Sequence, residues 1–179
     1  MRSAGSGPRR RRSAAPDDPE GAREAALRLL ERTRRTRSDL ERSLRDKGYS
    51  PSIVGEVLER LAAVGLVDDV EYARAFLAGR LGRRAAGWRR LLQELRRRGI
   101  SAEDAGAARA RLEEIQGAAD EAAMARRVLA QVAARYAALD PRVRRQRLYA
   151  LLVRRGFEGD VIEQALREMS ADPPEGFEG

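Results

Sequence analysis

Asp68 and Asp69 are the carboxylates best placed for chemistry in this chain, which has no histidine and no cysteine. Adjacent carboxylates can bind a divalent metal, whereas imidazole or thiol catalysis and zinc sites built from His or Cys are excluded by composition. Neighbouring side chains at a helix start diverge, and Asp68 with Glu71 fits a helix cap instead. No phosphate-binding glycine loop or nucleophile elbow occurs either. We therefore expect no enzyme activity, and no catalytic, metal-binding or cofactor-binding residue.

Arginine is the other residue type that can do chemistry, because a guanidinium group binds phosphates and carboxylates through a fork of N–H donors. The chain has 36 basic and 28 acidic residues, for a net charge of +8. Its arginines cluster at three places roughly fifty residues apart. An isolated arginine is typical of a solvated helix face, but clusters that recur in register favour binding to an anionic partner such as DNA. The candidate binding residues are Arg32, Arg34, Arg35, Arg37, Arg80, Arg83, Arg84, Arg89, Arg90, Arg142, Arg144, Arg145 and Arg147.

A second basic set directly precedes three glycines, at Gly48, Gly99 and Gly156. Cations in the last turn of a helix are stabilised by the helix macrodipole and by the unpaired terminal carbonyls. We therefore assign this set mainly to stability, with contact to an acidic partner surface as a secondary role. Its members are Arg45, Lys47, Arg96, Arg97, Arg98, Arg154 and Arg155.

An internal repeat supplies the elements that position these arginines. Each of the three glycines follows leucines at eight and four residues before it and precedes a large apolar residue, Tyr49, Ile100 or Phe157. A second amphipathic segment with helical periodicity follows each glycine, and another helix is predicted upstream of each copy, at 22–35, 69–81 and 121–137. We predict an all-α fold of three tandem three-helix repeats forming an elongated, curved array. No segment predicts a strand.

The predicted helix ends have local physical causes. Ser38 with Glu41 reads as a capping box, and Ser50 and Asp140 each precede a proline at a first helical position. The three glycines suit the left-handed residue that ends a helix, with the following apolar residue packed back on the last turn. Aromatic residues such as Trp88 have core spacing, so we expect them to pack in the core instead of stacking on bases.

The two ends of the chain differ from the middle in composition. They are rich in Gly, Ser, Pro and charge, which is typical of disorder. No stretch is apolar enough to span a membrane, and we expect a cytoplasmic protein. The predicted segments are a basic arm at 1–21, repeats at 22–66, 67–117 and 118–169, and an acidic tail at 170–179.

The three repeats resemble the RecX family, the regulatory proteins of the bacterial RecA recombinase. The resemblance is most specific in the second repeat, where Gly65-Leu-Val-Asp-Asp leads to an aromatic-Ala pair, then Arg80, then a stretch from Gly87 to Gly99-Ile100. The first repeat is similar over Leu29 to Leu44, and the third through fewer positions. The motif residues that the resemblance makes structural are Asp68, Asp69, Tyr72, Ala73, Gly87, Leu91, Glu94, Leu95 and Gly99.

The resemblance implies a non-enzymatic, monomeric modulator without a cofactor. It would bind the RecA nucleoprotein filament and inhibit ATP hydrolysis, strand exchange and co-protease activity, and so modulate recombination, DNA repair and the SOS response. DNA, single- or double-stranded, is a second implied partner. The residues by themselves leave an alternative open, a general DNA- or RNA-binding helical repeat protein that acts through phosphate contacts. A nuclease that uses Asp68 and Asp69 is the third alternative.

Overall fold

The computed structural model describes residues 15–81, 86–117 and 119–171. Over these ranges the chain forms nine α-helices and no strand. None of the nine is long and apolar enough to cross a membrane. The helices are α1 (Pro19–Leu30), α2 (Arg37–Arg45), α3 (Pro51–Ala63), α4 (Asp69–Leu81), α5 (Trp88–Arg97), α6 (Ala102–Gln116), α7 (Glu121–Tyr136), α8 (Pro141–Arg154) and α9 (Gly159–Ala171).

The helices build three hydrophobic cores, one for each predicted repeat. The first core lies among α1, α2 and α3, and the chain divides after Asp68 into this compact unit and a second one. The second unit holds two cores, one built by α4, α5 and α6 and the other by α7, α8 and α9. The prediction of an all-α fold with tandem three-helix repeats is therefore confirmed.

Each core is centred on the leucines of the repeated phrase. Leu40 and Leu44, Leu91 and Leu95, and Leu148 and Leu152 are all buried, with at most 3% of their surface exposed. Leucines four residues apart lie on one helix face, so the spacing read from the sequence is the spacing of the buried face of each middle helix.

The three glycines end these middle helices as predicted. Gly48, Gly99 and Gly156 have φ angles of 98°, 82° and 86°, a left-handed conformation that favours glycine. The following N–H groups of Tyr49, Ile100 and Phe157 donate to carbonyls five residues back, at 3.3, 3.1 and 3.2 Å. All three of these side chains are buried, which confirms the predicted apolar contact after the cap.

One predicted N-terminus is wrong by two residues. α2 is capped by Thr36, whose side-chain oxygen accepts a hydrogen bond from the Asp39 N–H at 3.1 Å, while Ser38 lies inside the helix. Thr36 is the cap because it is buried and its backbone is extended, which places its side chain beside the Asp39 N–H, a group that has no partner within the helix. Asp140 caps α8 as predicted, but Ser50 makes no side-chain cap. The Ser50 hydroxyl instead donates to Asp17 at 2.9 Å.

The first and last helices each include a few residues of the segments that the sequence assigned to the arm and the tail. α1 begins at Pro19, inside the segment assigned to the arm, because the Asp18 carboxylate accepts a hydrogen bond from the Gly21 N–H at 2.9 Å. At the other end α9 continues to Ala171. Residues 1–14 of the predicted arm and 172–179 of the predicted tail lie outside the described residues.

Candidate functional site

Asp68 and Asp69 lie at the start of α4, with Asp69 as its first residue. Across the described ranges, no group of three or more His, Cys, Asp or Glu side chains comes together in a way that would hold a metal ion. The position at a helix start is the one expected of residues that stabilise the helix N-terminus.

In the second unit, the start of α5 and the end of α8 are joined by backbone hydrogen bonds. The Gly87 N–H donates to the Arg155 carbonyl at 3.0 Å, and the Arg89 N–H donates to the Gly156 carbonyl at 3.2 Å. A Cβ atom on Gly87 would lie 2.2 Å from the Gly156 oxygen. Only glycine lets the two backbones approach this closely, so Gly87 and Gly156 together fix α5 against α8.

An arginine-lined groove runs beside this backbone contact. Its volume is about 320 Å³, and α5 supplies most of its wall. We call it the arginine groove. Its lining residues are Arg89, Arg90, Gln93, Glu94, Arg97, Val153, Arg154 and Gly156.

Three of the groove's four arginines have no acidic partner within the described part of the chain. Arg90 pairs with Glu94 at 3.4 Å, and Arg80 reaches the other oxygen of the same carboxylate at 3.3 Å. Glu94 is the single acid among the lining residues, and these two arginines already share it. The exposed side chains of Arg89, Arg97 and Arg154 therefore present uncompensated positive charge to solvent.

Carbonyl groups at the end of α8 are already hydrogen-bonded to backbone N–H groups, which limits their interaction with the Arg154 side chain. The terminal carbonyls of α8 already accept backbone donors, with Gly156 N–H on Val153 at 2.9 Å and Phe157 N–H on Leu152 at 3.2 Å. Beyond the helix, the carbonyls of Arg155 and Gly156 accept the N–H groups of Gly87 and Arg89, as described above. A cation is stabilised at a helix end largely by unpaired carbonyls, so Arg154 is freer to bind a ligand than its sequence position indicated.

Arg89 and Arg90 were predicted to bind a partner, whereas Arg97 and Arg154 were assigned mainly to stability. The structure brings members of both sets into one groove, and sequence reasoning missed this combination. One signal was available: Gly87 occupies the N-cap position of α5 but has no side chain to cap it. A glycine there permits a close backbone approach because it has no Cβ atom.

The other predicted arginines lie in different surroundings. In the first unit Arg37 pairs with Glu59 at 2.7 Å, and the Arg35 Nε is buried without a hydrogen-bond partner in the described structure. In the third repeat Arg145 pairs with Glu163. Because a helix rises about 1.5 Å per residue, the cluster that begins at Arg142 lies up to about 20 Å along α8 from Gly156. Arg83 and Arg84 lie outside the described residues.

The motif residues of the second repeat have structural contacts. Ala73, Leu91 and Leu95 belong to the buried core of that repeat. The Tyr72 hydroxyl accepts a hydrogen bond from Arg98 at 3.1 Å, which ties α4 to the end of α5. Glu94 holds Arg80 and Arg90, as noted.

The aromatic residues also belong to packed surroundings. Trp88 and Phe76 pack against the core of the second repeat. The Arg80 and Arg98 guanidinium groups lie 5.1 and 5.3 Å from the Phe76 ring centroid, and that of Arg109 lies 4.9 Å from the Trp88 ring. These ring faces are therefore occupied by the chain's own cations.

Comparison with family models gives three matches, one for each repeat. The model described as the first three-helix domain of RecX matches residues 22–61, the second matches 68–108 and the third matches 119–166. Each matched range falls inside one of the repeats defined by the cores.

Curated relatives and solved structures agree with these matches. The chain is 36% identical over 157 residues to the regulatory protein RecX of Thermobifida fusca (strain YX), covering 87% of this chain and 83% of that protein. It is 35% identical over 167 residues to that of Mycobacterium avium (strain 104), covering 88% and 90%. A crystal structure of RecX from Lactobacillus salivarius superposes with a TM-score of 0.77 at 21% identity, over 88% of this chain and 99% of that one. This last likeness shows the fold.

Proposed function

The chain belongs to the RecX family of regulatory proteins, and from this premise we propose that it regulates the RecA recombinase by binding the RecA nucleoprotein filament. The proposal includes inhibition of the filament's ATPase, strand-exchange and co-protease activities, and thereby modulation of recombination, DNA repair and the SOS response. The observation that carries it is the extent of the family match, which includes all three helical repeats. The proposed action requires only occupation of a surface, with no chemistry by this chain.

We propose the arginine groove as a contact surface for the filament. Arg89, Arg97 and Arg154 are exposed and lack acidic partners among the described residues, so their charge is available to an anion. Charge-assisted hydrogen bonds from guanidinium to phosphate are among the strongest polar contacts in proteins. A nucleoprotein filament offers such phosphates. The backbone hydrogen bonds from Gly87 to Arg155 and from Arg89 to Gly156 hold the two walls of the groove together.

The direct test is co-sedimentation with RecA assembled on single-stranded DNA, together with the rate of ATP hydrolysis. We expect the chain to sediment with the filament and to lower its ATPase rate in a saturable way. A chain that stays in the supernatant and leaves the rate unchanged at saturating concentration refutes the proposal.

The groove is tested by removing its three unpaired charges in the variant R89Q/R97Q/R154Q. A matched control is R111Q/R135Q/R167Q, which removes the same charge from exposed positions on α6, α7 and α9, outside the groove. We expect the groove variant to bind the filament at least tenfold more weakly and the control to bind within about twofold of the parent. Equal weakening of both variants would show that only net charge matters.

A general nucleic-acid-binding protein is the second candidate, favoured by the same three uncompensated arginines. It predicts tight binding to naked DNA or RNA, with log affinity falling linearly as log salt rises. Neutralising three phosphate contacts would reduce that slope by roughly 2 to 3. Filament binding that persists at a salt concentration where naked DNA is released favours the RecA regulator.

We further propose that the protein acts in the cytoplasm as a monomer. Fractionation and light scattering test these two statements. A nuclease that uses Asp68 and Asp69 would cleave DNA in a metal-dependent manner, and incubation of the parent protein with DNA and Mg²⁺ tests that alternative.

A further inference from the structure

Of the described residues that line the arginine groove, Glu94 is the only acidic one, and it lies among four arginines. One of its oxygens accepts a hydrogen bond from the Arg90 Nε at 3.4 Å, and the other lies 3.3 Å from a terminal nitrogen of Arg80. Two guanidinium groups, from α5 and α4, therefore occupy both oxygens of one carboxylate. Because guanidinium groups bind carboxylate and phosphate oxygens with similar geometry, Glu94 takes the place that two phosphate oxygens would take.

The Glu94 side chain is largely shielded from water. Only 20% of its surface is exposed, compared with 53% for Arg90 and 38% for Arg80. Ion pairs on an open surface contribute little because water and salt screen them, whereas partial burial strengthens the attraction between the charges. The shielded carboxylate therefore holds Arg80 and Arg90 more strongly than a fully exposed partner would.

Each of these two arginines has a further contact that favours the pair with Glu94. The Arg80 guanidinium lies 5.1 Å from the Phe76 ring centroid, so the ring and the carboxylate hold the same cation. The backbone of Arg90 lies against Gly156, where an added Cβ atom would be 2.6 Å from the Arg90 nitrogen. The start of the Arg90 side chain is therefore fixed within reach of Glu94, which follows one turn later on the same helix.

The remaining arginines of the groove differ from Arg90. Arg89, Arg97 and Arg154 are exposed and have no acidic partner within the described ranges. The structure therefore divides the arginines that line the groove into two classes. Three are available to a ligand, and Arg90 is held by Glu94.

From these contacts we propose that Glu94 is a specificity-determining residue of the arginine groove. It withholds Arg80 and Arg90 from phosphate and confines the contact to the three available arginines. The affinity of a protein for naked nucleic acid rises with the number of cations that reach phosphates, because each contact releases counterions. Withholding two arginines therefore weakens binding to naked strands, and a built-in competitor of this kind is one way in which a site rejects an unwanted ligand.

The identity of the ligand rests on the proposed function. A nucleoprotein filament presents protein surface as well as phosphates, so affinity for the filament depends less on the number of phosphate contacts than affinity for a naked strand does. We therefore expect Glu94 to increase the preference of the chain for the filament over naked single-stranded DNA.

The first experiment measures binding to a fluorescein-labelled oligothymidylate by anisotropy over a range of salt concentrations. E94Q should bind about fivefold more tightly than the parent, which is the effect of removing one negative charge a few ångströms from a phosphate in water. Its log-log salt slope should become steeper by roughly 0.7 for each arginine that gains a phosphate. E114Q is the matched control, since it removes an exposed carboxylate from α6, outside the groove. It should stay within about twofold of the parent, because salt screens distant surface charges.

A double-mutant cycle separates the hold on Arg90 from a simple change of net charge. R90Q should weaken DNA binding by less than about threefold in the parent and by about tenfold in the E94Q background, where Arg90 is released. Equal effects in both backgrounds, or an E94Q variant that binds like the parent, overturn the proposal, as does an oligonucleotide that binds to neither protein.

A comparison within the parent chain does not depend on the folding of E94Q. R97Q and R90Q each remove one arginine from the same groove, and R97Q should weaken DNA binding at least about threefold more, because only Arg97 is available to phosphate. Equal losses contradict the division of the arginines. The melting temperature confirms that each variant is folded.

The filament assay then tests specificity. E94Q should gain about twofold or less in affinity for RecA assembled on single-stranded DNA, so the ratio of filament affinity to naked-strand affinity should fall. If the parent does not sediment with the filament, the proposed function fails, while the oligonucleotide cycle still decides the role of Glu94. If the parent binds the filament and E94Q gains equally on both ligands, this inference fails alone.

Discussion

The substitution of Gly87 by alanine adds one methyl group at the contact between α5 and α8. The new Cβ atom would lie 2.2 Å from the Gly156 oxygen, 2.3 Å from the Gly156 carbon and 2.3 Å from the Phe157 nitrogen. All three are backbone atoms, so no side-chain rotation can relieve the overlap. Gly87 itself has a φ of −70°, which any residue adopts. The overlap therefore involves no backbone strain at residue 87, and the helices must separate by about 1 Å or more to reach ordinary contact.

Such a separation lengthens both backbone hydrogen bonds between α5 and α8, Gly87 to Arg155 and Arg89 to Gly156, beyond bonding distance. At about 1 kcal/mol each, they account for about 2 kcal/mol. Phe157 is 1% exposed and follows directly, so its packing is disturbed too. Alanine is also a poorer N-cap than glycine. We expect the free energy of unfolding to fall by about 3 kcal/mol.

The assay is urea unfolding followed by circular dichroism and by the fluorescence of Trp88, the residue next to the substitution. Gly106→Ala is the matched control, because Gly106 lies within α6 of the same unit and its Cβ would meet nothing within 4 Å. Removing a helical glycine should stabilise the protein by about 0.5 to 1 kcal/mol. If Gly87→Ala is as stable as the parent, the close approach described for α5 and α8 is refuted.

Three further predictions test other parts of the structure. Thr36→Ala should cost about 1 kcal/mol of unfolding free energy because it removes the α2 cap, whereas Ser38→Ala should cost almost nothing; equal losses in urea unfolding would contradict the assignment of the cap. Gly99→Val should lower the melting temperature, since a β-branched residue is strained at a φ of 82°, and an unshifted melting curve would count against this conformation. The raised pKa of Glu121 means that the folded state binds this proton more tightly than the unfolded state, so its contribution to stability is largest at low pH and is lost as pH rises through and above 4.5. Urea unfolding at several pH values should show the parent losing stability relative to E121Q as the pH rises above 4.5, and parallel curves would exclude this linkage.

Local periodicity was enough to predict the helices and their cores. Leucines at four-residue spacing before a glycine predicted both the buried face of each middle helix and the residue that ends it, as with Leu95 and Gly99. These features depend on contacts between residues a few positions apart. The cap of α2 was misplaced because Thr36 and Ser38 both satisfy the local rule, and the burial of Thr36 distinguishes them.

The arrangement of the candidate sites depends on contacts between distant parts of the chain. Gly87 meets Gly156, and Arg97 shares a groove with Arg154, although more than fifty residues separate each pair. Nothing in the spacing of either helix indicates which end of another helix it will meet. The same holds for Arg109, whose guanidinium group contacts the Trp88 ring and the Glu121 carboxylate, residues of two other helices.

By itself, then, the sequence determined an all-α chain with three repeats, its cores, the glycine caps and the resemblance that the family matches confirmed. The tertiary structure alone decided which arginines have acidic partners, which remain uncompensated, and where a buried carboxylate oxygen lacks a donor. The physical reason is the separation along the chain of the residues that interact. Helix formation and capping are settled within one or two turns, whereas the pairing and burial of a charge depend on the groups that folding brings beside it.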